Sequence, residues 1–250
     1  MIQDQFIRSA MLVGTEPLAR LAQSKVAIFG IGGVGGHCCD ALARAGVGQF
    51  HLFDDDRISL SNLNRQLVAL HSTIGRFKVE VMKERILDIN PQAMVETSTL
   101  FYTGKEGATT SLSDFDYVID CVDTMTAKLD LVTRCHEKKI PIISAMGSAN
   151  KLDPGGFYVT DLSKTENCPL ARIMRKELRK RGIRHLKVVF SKEDAQTPQE
   201  ILPQAAEPMA GNGERQGSIG HKKTPGSLPF VPATVGLLLA SAVVRDLAGY

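Results

Sequence analysis

Three groups of residues suited to binding a nucleotide follow one another in the first third of this 250-residue chain. A glycine-rich stretch, Gly30 to Gly35, comes directly after the apolar run Val26 to Phe29, and the acidic run Asp54 to Asp56 ends a second apolar stretch. Glycines let the backbone approach a phosphate, and the helix that follows offers free N–H groups. An acid at the next strand end can bind ribose hydroxyls. This order predicts a nucleotide site, and up to Asp54 both NAD and ATP fit it.

The third group carries cations that suit a triphosphate better than a nicotinamide. It is the run Ser61 to Gln66, Ser-Asn-Leu-Asn-Arg-Gln, and it places Arg65 beyond the acidic run, with Lys78 further along at the start of a predicted helix. Two cations near a nucleotide suit the β- and γ-phosphates, because charge-assisted contacts are strong. Asp123 follows the run Tyr117 to Val122, which predicts a buried strand with Asp123 at its end. A carboxylate beside a triphosphate is most simply a magnesium ligand.

The elements that must position these residues alternate along the chain. Apolar patterns predict strands and helices in turn, so we expect an α/β, Rossmann-like fold with a doubly wound, mostly parallel sheet and a C-terminal extension. We expect a single domain over residues 1–250. The stretch 192–229 is rich in Gly, Pro, Gln, Ser and Glu, which predicts a mobile insertion.

Composition narrows the class of protein. The apolar fraction of 43% is ordinary for a globular protein, and the five cysteines contain no C-x-x-C pair, which argues against a disulfide framework and against structural zinc. Met1 to Arg8 lacks the apolar core of a signal peptide. In the apolar stretch Phe230 to Leu247, Pro232 leaves too few residues for a membrane span, which predicts a buried helix. These features predict a cytoplasmic protein.

One strongly basic segment overlaps a helix that the sequence predicts roughly from Pro169 to Lys180. The window Arg172 to Lys187 carries a net charge of +7, whereas the rest of the chain carries −4. A solvated helix face and a binding surface for an anionic partner remain equal alternatives for this run.

These motifs together resemble the adenylation core of the ThiF/MoeB/HesA group, the bacterial relatives of ubiquitin-activating enzymes. The resemblance extends through Gly75-Arg76-Phe77-Lys78 and Asp120-Cys121-Val122-Asp123. It implies that Gly33, Asp54, Asn62, Arg65 and Lys78 hold ATP, that Asp123 holds magnesium, and that Arg8 reaches the ATP of the partner subunit in a homodimer. The full set predicted to contact the nucleotide is Gly30, Gly32, Gly33, Gly35, Asp54, Asp56, Ser61, Asn62, Asn64, Arg65 and Lys78. We expect the reaction to depend on Arg65, Lys78, Asp123 and Arg8.

The second half of the chain resembles the tRNA threonylcarbamoyladenosine dehydratase subfamily. The similarity lies in Thr160 to Thr165, in Pro169-Leu170-Ala171-Arg172 and in Val188 to Ser191. It implies ATP-dependent cyclisation of a modified adenosine next to the tRNA anticodon, and sulfur-transfer accessory proteins as possible partners. The residues predicted to bind tRNA are Arg172, Arg175, Lys176, Arg179 and Lys180.

Departures from these patterns leave alternatives. The enterobacterial relatives carry a cysteine ahead of the last helix that the run Lys222 to Pro232 lacks, so a cysteine thioester is not required here. Cys168, before Pro169, is interpreted as an unreactive thiol. One alternative function is adenylation of the C-terminal glycine of a ubiquitin-like sulfur carrier. Another, of a different class, is an NAD-binding oxidoreductase or sensor.

Overall fold

In a computed structural model, residues 3–104, 110–199 and 225–250 are described. They form one seven-stranded sheet in the order β3-β2-β1-β4-β5-β7-β6. The strands are β1 (Lys25–Phe29), β2 (Gln49–Phe53), β3 (Met94–Ser98), β4 (Tyr117–Asp120), β5 (Ile142–Ala145), β6 (Phe157–Asp161) and β7 (Lys187–Ser191). All neighbours are parallel except β6, which pairs antiparallel with β7 at the edge.

Seven α-helices accompany the sheet within the described residues. They are α1 (Ile7–Val13), α2 (Thr15–Gln23), α3 (Gly33–Ala45), α4 (Lys78–Ile89), α5 (Met125–Lys138), α6 (Pro169–Lys180) and α7 (Phe230–Ala248). Apolar residues of α3, α4 and α7 share one buried cluster, whereas those of α5 and α6 belong to two others. The helices therefore cover both faces of the sheet, and the expected doubly wound α/β class is confirmed.

The strand order reverses between β1 and β4. Strands β2 and β3 follow β1 towards one edge of the sheet, whereas β4 and β5 lie on the other side of β1. Ligands of open α/β sheets bind at such a switch point, beyond the carboxyl ends of the strands. The glycine-rich turn follows β1 and the Asp123 segment follows β4. The topology thus brings two distant parts of the sequence to one position.

The C-terminal helix is longer than the sequence predicts. Proline is tolerated in a first turn, where its missing N–H has no partner within the helix, so α7 runs from Phe230 through Pro232 without interruption. Its 19 residues are long and apolar enough to cross a membrane, so the expectation that it is too short was wrong. Nine of them are buried, and a Cβ on Gly236 would lie 2.4 Å from the carbonyl oxygen of Val34. This close packing against α3 is typical of a core helix.

The predicted insertion at 192–229 falls partly outside the described residues. Residues from both of its described ends form hydrogen bonds with Asn150. The Gln196 N–H donates to the Asn150 carbonyl oxygen (2.7 Å), and the Gly226 N–H donates to Asn150 Oδ1 (2.6 Å). Asn150 therefore binds described residues at both ends of this segment.

Candidate functional site

The glycine-rich turn packs directly on the chain that leaves β4. Gly30 has φ +89°, and a Cβ there would lie 2.7 Å from the Cys121 carbonyl oxygen. A Cβ on Gly35 would lie 1.8 Å from the Gly30 carbonyl oxygen, so no other residue fits. Gly32 is the N-cap of α3 and Gly33 its first residue. The first N–H groups of α3 therefore face the switch point with no acceptor within the helix, as an anion site requires.

Asp54 is bound to this turn and lies mostly buried. Its Oδ2 accepts a hydrogen bond from the Ile31 N–H (2.6 Å), and its Oδ1 accepts one from the Asp56 N–H (2.9 Å). Burial raises the pKa of the Asp54 carboxyl, although Lys78 and the two N–H donors act in the opposite direction. The acid that the sequence assigns to a ribose is thus held against the glycine turn.

Lys78 is buried at the start of α4, and its ammonium faces the same acids. Its Nζ lies 2.5 Å from Asp56 Oδ2 and 3.8 Å from Asp54 Oδ1. The predicted cation and the predicted acids therefore meet in space. In this state the ammonium is neutralised by carboxylates, so a phosphate would have to join or replace them.

The Ser61 to Gln66 segment forms a tight turn beside the glycines. Asn62 is buried, and its Oδ1 accepts the Ser59 N–H (3.1 Å). Ser61 Oγ lies 3.0 Å from Ser59 Oγ. The Arg65 guanidinium donates to the Ser61 carbonyl oxygen and to Asn64 Oδ1, both at 2.8 Å. A Cβ on Gly33 would lie 3.3 Å from the Arg65 carbonyl oxygen, which places this segment against the N-terminus of α3.

Asn64 joins this turn to the C-terminal part of the chain. Its Nδ2 donates to the Ser227 carbonyl oxygen (2.9 Å). The adjacent Gly226 is bound by Asn150, and Pro232 of α7 lies within contact distance of a Cβ on Gly33. The segment that precedes α7 therefore borders the predicted nucleotide site, a connection that no sequence spacing indicated.

Asp123 does not end its strand as predicted. Strand β4 stops at Asp120, and Asp123 is an exposed residue in the loop before α5. It has no hydrogen-bonded partner in the described ranges 3–104, 110–199 and 225–250. A free carboxylate beyond the carboxyl end of β4 suits a hard cation such as Mg²⁺. Of the described residues, one group of three potential metal ligands lies close together, namely Asp54 to Asp56, but Asp54 and Asp56 already bind Lys78 and backbone N–H groups.

Asp120 itself belongs to a buried cluster that the sequence analysis missed. The Lys128 ammonium donates to Asp120 Oδ2 (3.0 Å), to the Ala145 carbonyl oxygen (2.8 Å) and to Ser144 Oγ (3.3 Å), and Ser144 also donates to Asp120. The cluster ties the ends of β4 and β5 together beside the switch point. An aspartate inside the β-branched run of β4 was the available signal, since a buried charge requires a partner.

Among the described residues, no hydrogen bond or ion pair joins Arg8 or helix α6 to the nucleotide turn. Arg8 is exposed on α1, which buries none of its residues. On α6, the Arg175 guanidinium bonds to the Thr165 backbone oxygen (2.7 Å) and side chain, and Lys180 pairs with Glu177 (2.7 Å). Exposed cations without a partner in the described part of the chain remain on one helical face, namely Arg172, Lys176 and Arg179.

The cysteines are free thiols, and four of them are poor candidates for covalent chemistry. Burial raises the pKa of the Cys38, Cys39 and Cys121 thiols and raises the pKa of Cys135 to about 12. The thiolate is the reactive form, so these sites disfavour a thioester. Cys168 is buried as the N-cap of α6.

The sheet and site together define a doubly wound nucleotide-binding protein. The site consists of a glycine turn at a helix N-terminus, a buried acid beside it and a buried lysine at the switch point. Comparison with known proteins then gives the family. The ThiF family model matches residues 6–250, and the chain belongs to the ThiF family.

Individual relatives match along nearly the whole chain. A tRNA threonylcarbamoyladenosine dehydratase of Bacillus subtilis is 42% identical over 97% of this chain and 94% of the relative. The Escherichia coli protein of the same name is 32% identical over 98% of this chain and 94% of its own length. The crystal structure of the E. coli enzyme in complex with ATP superposes with a TM-score of 0.83 at 31% identity, covering 100% of this chain and 97% of that one. The predicted resemblance to this group is confirmed.

Proposed function

We propose that this protein catalyses the ATP-dependent dehydration of threonylcarbamoyladenosine in tRNA to a cyclic form. The observation that carries the proposal is the meeting of Asp54, Lys78 and the Arg65 turn at the glycine-rich N-terminus of α3, in a chain that matches dehydratases over nearly its full length. A carboxylate is a poor electrophile. Joining it to AMP as a mixed anhydride supplies a good leaving group for ring closure.

Each part of the site has a task with ATP. Asp54 suits the ribose hydroxyls, and the N–H groups of Gly33 and its neighbours suit a phosphate. Lys78 and Arg65 suit the β- and γ-phosphates, where they would stabilise the charge that builds on departing pyrophosphate. NAD would leave Lys78 and Arg65 without a clear task, which is why we favour ATP.

Magnesium fits the free carboxylate at Asp123. The residue lies past the end of β4, its oxygens are hard ligands and it has no partner in the described residues. Bound there, Mg²⁺ would neutralise phosphate charge. The five cysteines contain no C-x-x-C pair, so we propose no zinc site. The ring closes through a nucleophile within the substrate.

Helix α6 is the proposed tRNA-binding surface. Arg172, Lys176 and Arg179 follow the i, i+4, i+7 spacing, so they form a stripe about 10 Å long on one face. RNA is met largely through its phosphates, which such a stripe can contact in succession. The helix begins beside Gly147 at the carboxyl edge of the sheet, because Cys168 Sγ lies 3.7 Å from a Cβ placed there. The stripe thus starts near the reactive end and leads away from it.

We also propose that the protein acts as a cytoplasmic homodimer. Helix α1 leaves Ile7, Met11 and Leu12 exposed, and Leu12 is 88% accessible. Exposed apolar residues of this kind mark an interaction surface, and a second copy would bring its Arg8 to the site across the interface. We further propose sulfur-transfer accessory proteins as partners.

The proposal is tested by the formation of AMP. Purified protein is incubated with Mg²⁺, ATP labelled at the α-phosphate and tRNA from a strain that lacks the enzyme. AMP should form only with that tRNA and not with tRNA already carrying the cyclic nucleoside. Equal AMP formation with a ubiquitin-like sulfur carrier in place of tRNA, or none with either, would refute the assignment.

A further inference from the structure

Lys78, Lys128 and Lys151 are buried lysines, and Lys151 differs from the other two. Lys78 lies 2.5 Å from a carboxylate oxygen of Asp56, and Lys128 lies 3.0 Å from one of Asp120. Lys151 is only 5% exposed, yet among the described residues no carboxylate lies within ion-pair distance of it. Its Nζ donates one hydrogen bond, to the Ser191 carbonyl oxygen (2.9 Å). Its Nζ also lies 5.4 Å from the centroid of the Phe157 ring, a cation–π contact that offsets part of the cost of burial. A buried ammonium without an anion remains costly, so this one calls for a functional explanation.

The position of Lys151 is on the substrate side of the sheet. It follows the loop that leaves β5 and is bonded to the last residue of β7, and both lie at the carboxyl edge. Asn150, which precedes Lys151, binds Gly226. Ser227, which follows Gly226, is bound by Asn64 of the nucleotide turn. Lys151 therefore lies beyond β5 in the direction from the nucleotide site towards α6.

The charged groups that face Lys151 do not neutralise it. Glu193 follows β7, but its carboxylate accepts the N–H groups of Leu152 (2.8 Å) and Asp153 (3.2 Å). Cys168 at the start of α6, Glu193 and the adjacent Asp194 each raise the pKa of Lys151, but neither carboxylate lies within ion-pair distance of its Nζ. Burial lowers the pKa of Lys151, and these three groups offset that effect only in part. An incoming anion would stabilise the charged form.

We propose that Lys151 binds the carboxylate of the substrate that is to be adenylated. The inference rests on the proposed function and names a residue that touches the substrate. Lys151 would donate a hydrogen bond to one carboxylate oxygen and reduce the repulsion between this anion and the triphosphate. The other oxygen attacks the α-phosphorus, the bond to the β-phosphate oxygen breaks and pyrophosphate leaves. Lys151 keeps its proton throughout.

The test compares Lys151→Met, Lys151→Arg and the control Lys192→Met. Lys192 is exposed in the same region, where it pairs with Glu166. The AMP assay gives kcat and KM for tRNA, and thermal shift with Mg-ATP gives nucleotide binding. Lys151→Met should lower kcat/KM for tRNA roughly 10- to 100-fold, as expected for a lost charged hydrogen bond, with the ATP shift unchanged. Lys192→Met should behave as wild type.

The pH profile separates binding of an anion from a structural role. Activity that needs charged Lys151 falls as pH rises through the pKa of the bound lysine. Lys151→Arg should keep activity and move this alkaline limb to higher pH, because a guanidinium does not titrate there. An unchanged limb in that variant would overturn the inference, even if Lys151→Met failed to fold. Wild-type kcat/KM in Lys151→Met would overturn it too, whereas an inactive wild type would refute the proposed function instead.

Discussion

Folding disfavours the charged form of Asp54. Its carboxyl is buried, and burial is the largest influence on its pKa, which lies above the ordinary value. A group whose pKa is raised by folding favours the folded state in its protonated form. That contribution is complete below the unfolded pKa and is lost as pH rises through the folded pKa. We infer that the acid is retained for its contact with the nucleotide.

Asp54→Asn should therefore change stability in a pH-dependent way. The stability of wild type relative to the variant should decrease as pH rises from about 4, the ordinary carboxyl pKa, through the raised pKa of folded Asp54, while the variant loses its thermal shift with Mg-ATP. Urea unfolding at several pH values measures the first effect. Asp116→Asn is the control, since Asp116 also accepts a backbone N–H, from Lys25, but lies on the surface. A difference that grows with pH in favour of wild type would contradict this reading.

Asp123 should matter for turnover and not for folding. It is exposed and makes no hydrogen bond within the described residues, so Asp123→Ala should unfold at nearly the wild-type temperature. If it binds Mg²⁺, AMP release should fall on the order of 100-fold or more. Asp114→Ala, another exposed acid, is the matched control. Wild-type AMP release by Asp123→Ala would remove the magnesium assignment.

At this scale the sequence predicted residues that act through local spacing. Asp54 could be placed because it follows β2, and Lys78 because it opens α4, with the Arg65 turn between them along the chain. Lys128 and Lys151 could not, because their burial depends on which strand ends meet, and that depends on the whole sheet. The exposed position of Asp123 was missed since strand β4 stops where Asp120 turns inward to Lys128.

The bounds of helix α6 were predicted correctly, but its basic side chains do not all make the same kind of contact. Its bounds agree with those expected from the sequence, Pro169 to Lys180. The net charge could not reveal that Arg175 bonds to Thr165 or that Lys180 pairs with Glu177, because both contacts depend on neighbours in three dimensions. Arg172, Lys176 and Arg179 are left as the cations available to a polyanion.

Replacing Arg172, Lys176 and Arg179 by glutamine should weaken tRNA binding and flatten its dependence on salt. Each lost phosphate contact reduces the slope of log affinity against log salt by roughly 0.7 to 0.9, so we expect a change of about 2 to 3. Filter binding over a salt series measures it, and the ATP thermal shift should not change. The control replaces Lys180, Arg181 and Lys187, which pair with acids, and so removes equal charge. Equal slopes for the two variants would show that this face is merely solvated.

Helix α7 was the element predicted least well. The proline at position 232 suggested an interruption, but in a first turn it costs no hydrogen bond. What then fixes α7 is packing against α3, with Gly236 at the closest approach. Such a contact between residues 202 positions apart in sequence, Val34 and Gly236, leaves no local signal.

The whole molecule leaves an apolar helix face uncovered near its N-terminus. Helix α1 buries none of its own residues and exposes an apolar face together with Arg8. If two copies pair through this face and exchange Arg8, each site needs residues from both chains. Arg8→Ala and Asp123→Ala should each be inactive, yet a mixture should regain activity through hybrid dimers with one intact site. With subunit exchange verified by mass spectrometry, a mixture as inactive as its components would exclude a shared site.

The central claim is that the protein removes one water from a tRNA nucleoside at the expense of ATP. The most direct measurement is mass analysis of nucleosides from tRNA of a strain that lacks the enzyme, after incubation with the protein and Mg-ATP. Threonylcarbamoyladenosine should be replaced by a species lighter by one water, in proportion to the AMP formed, and Asp123→Ala should leave the nucleoside unchanged. Persistence of the original nucleoside while wild-type protein consumes ATP would contradict the account.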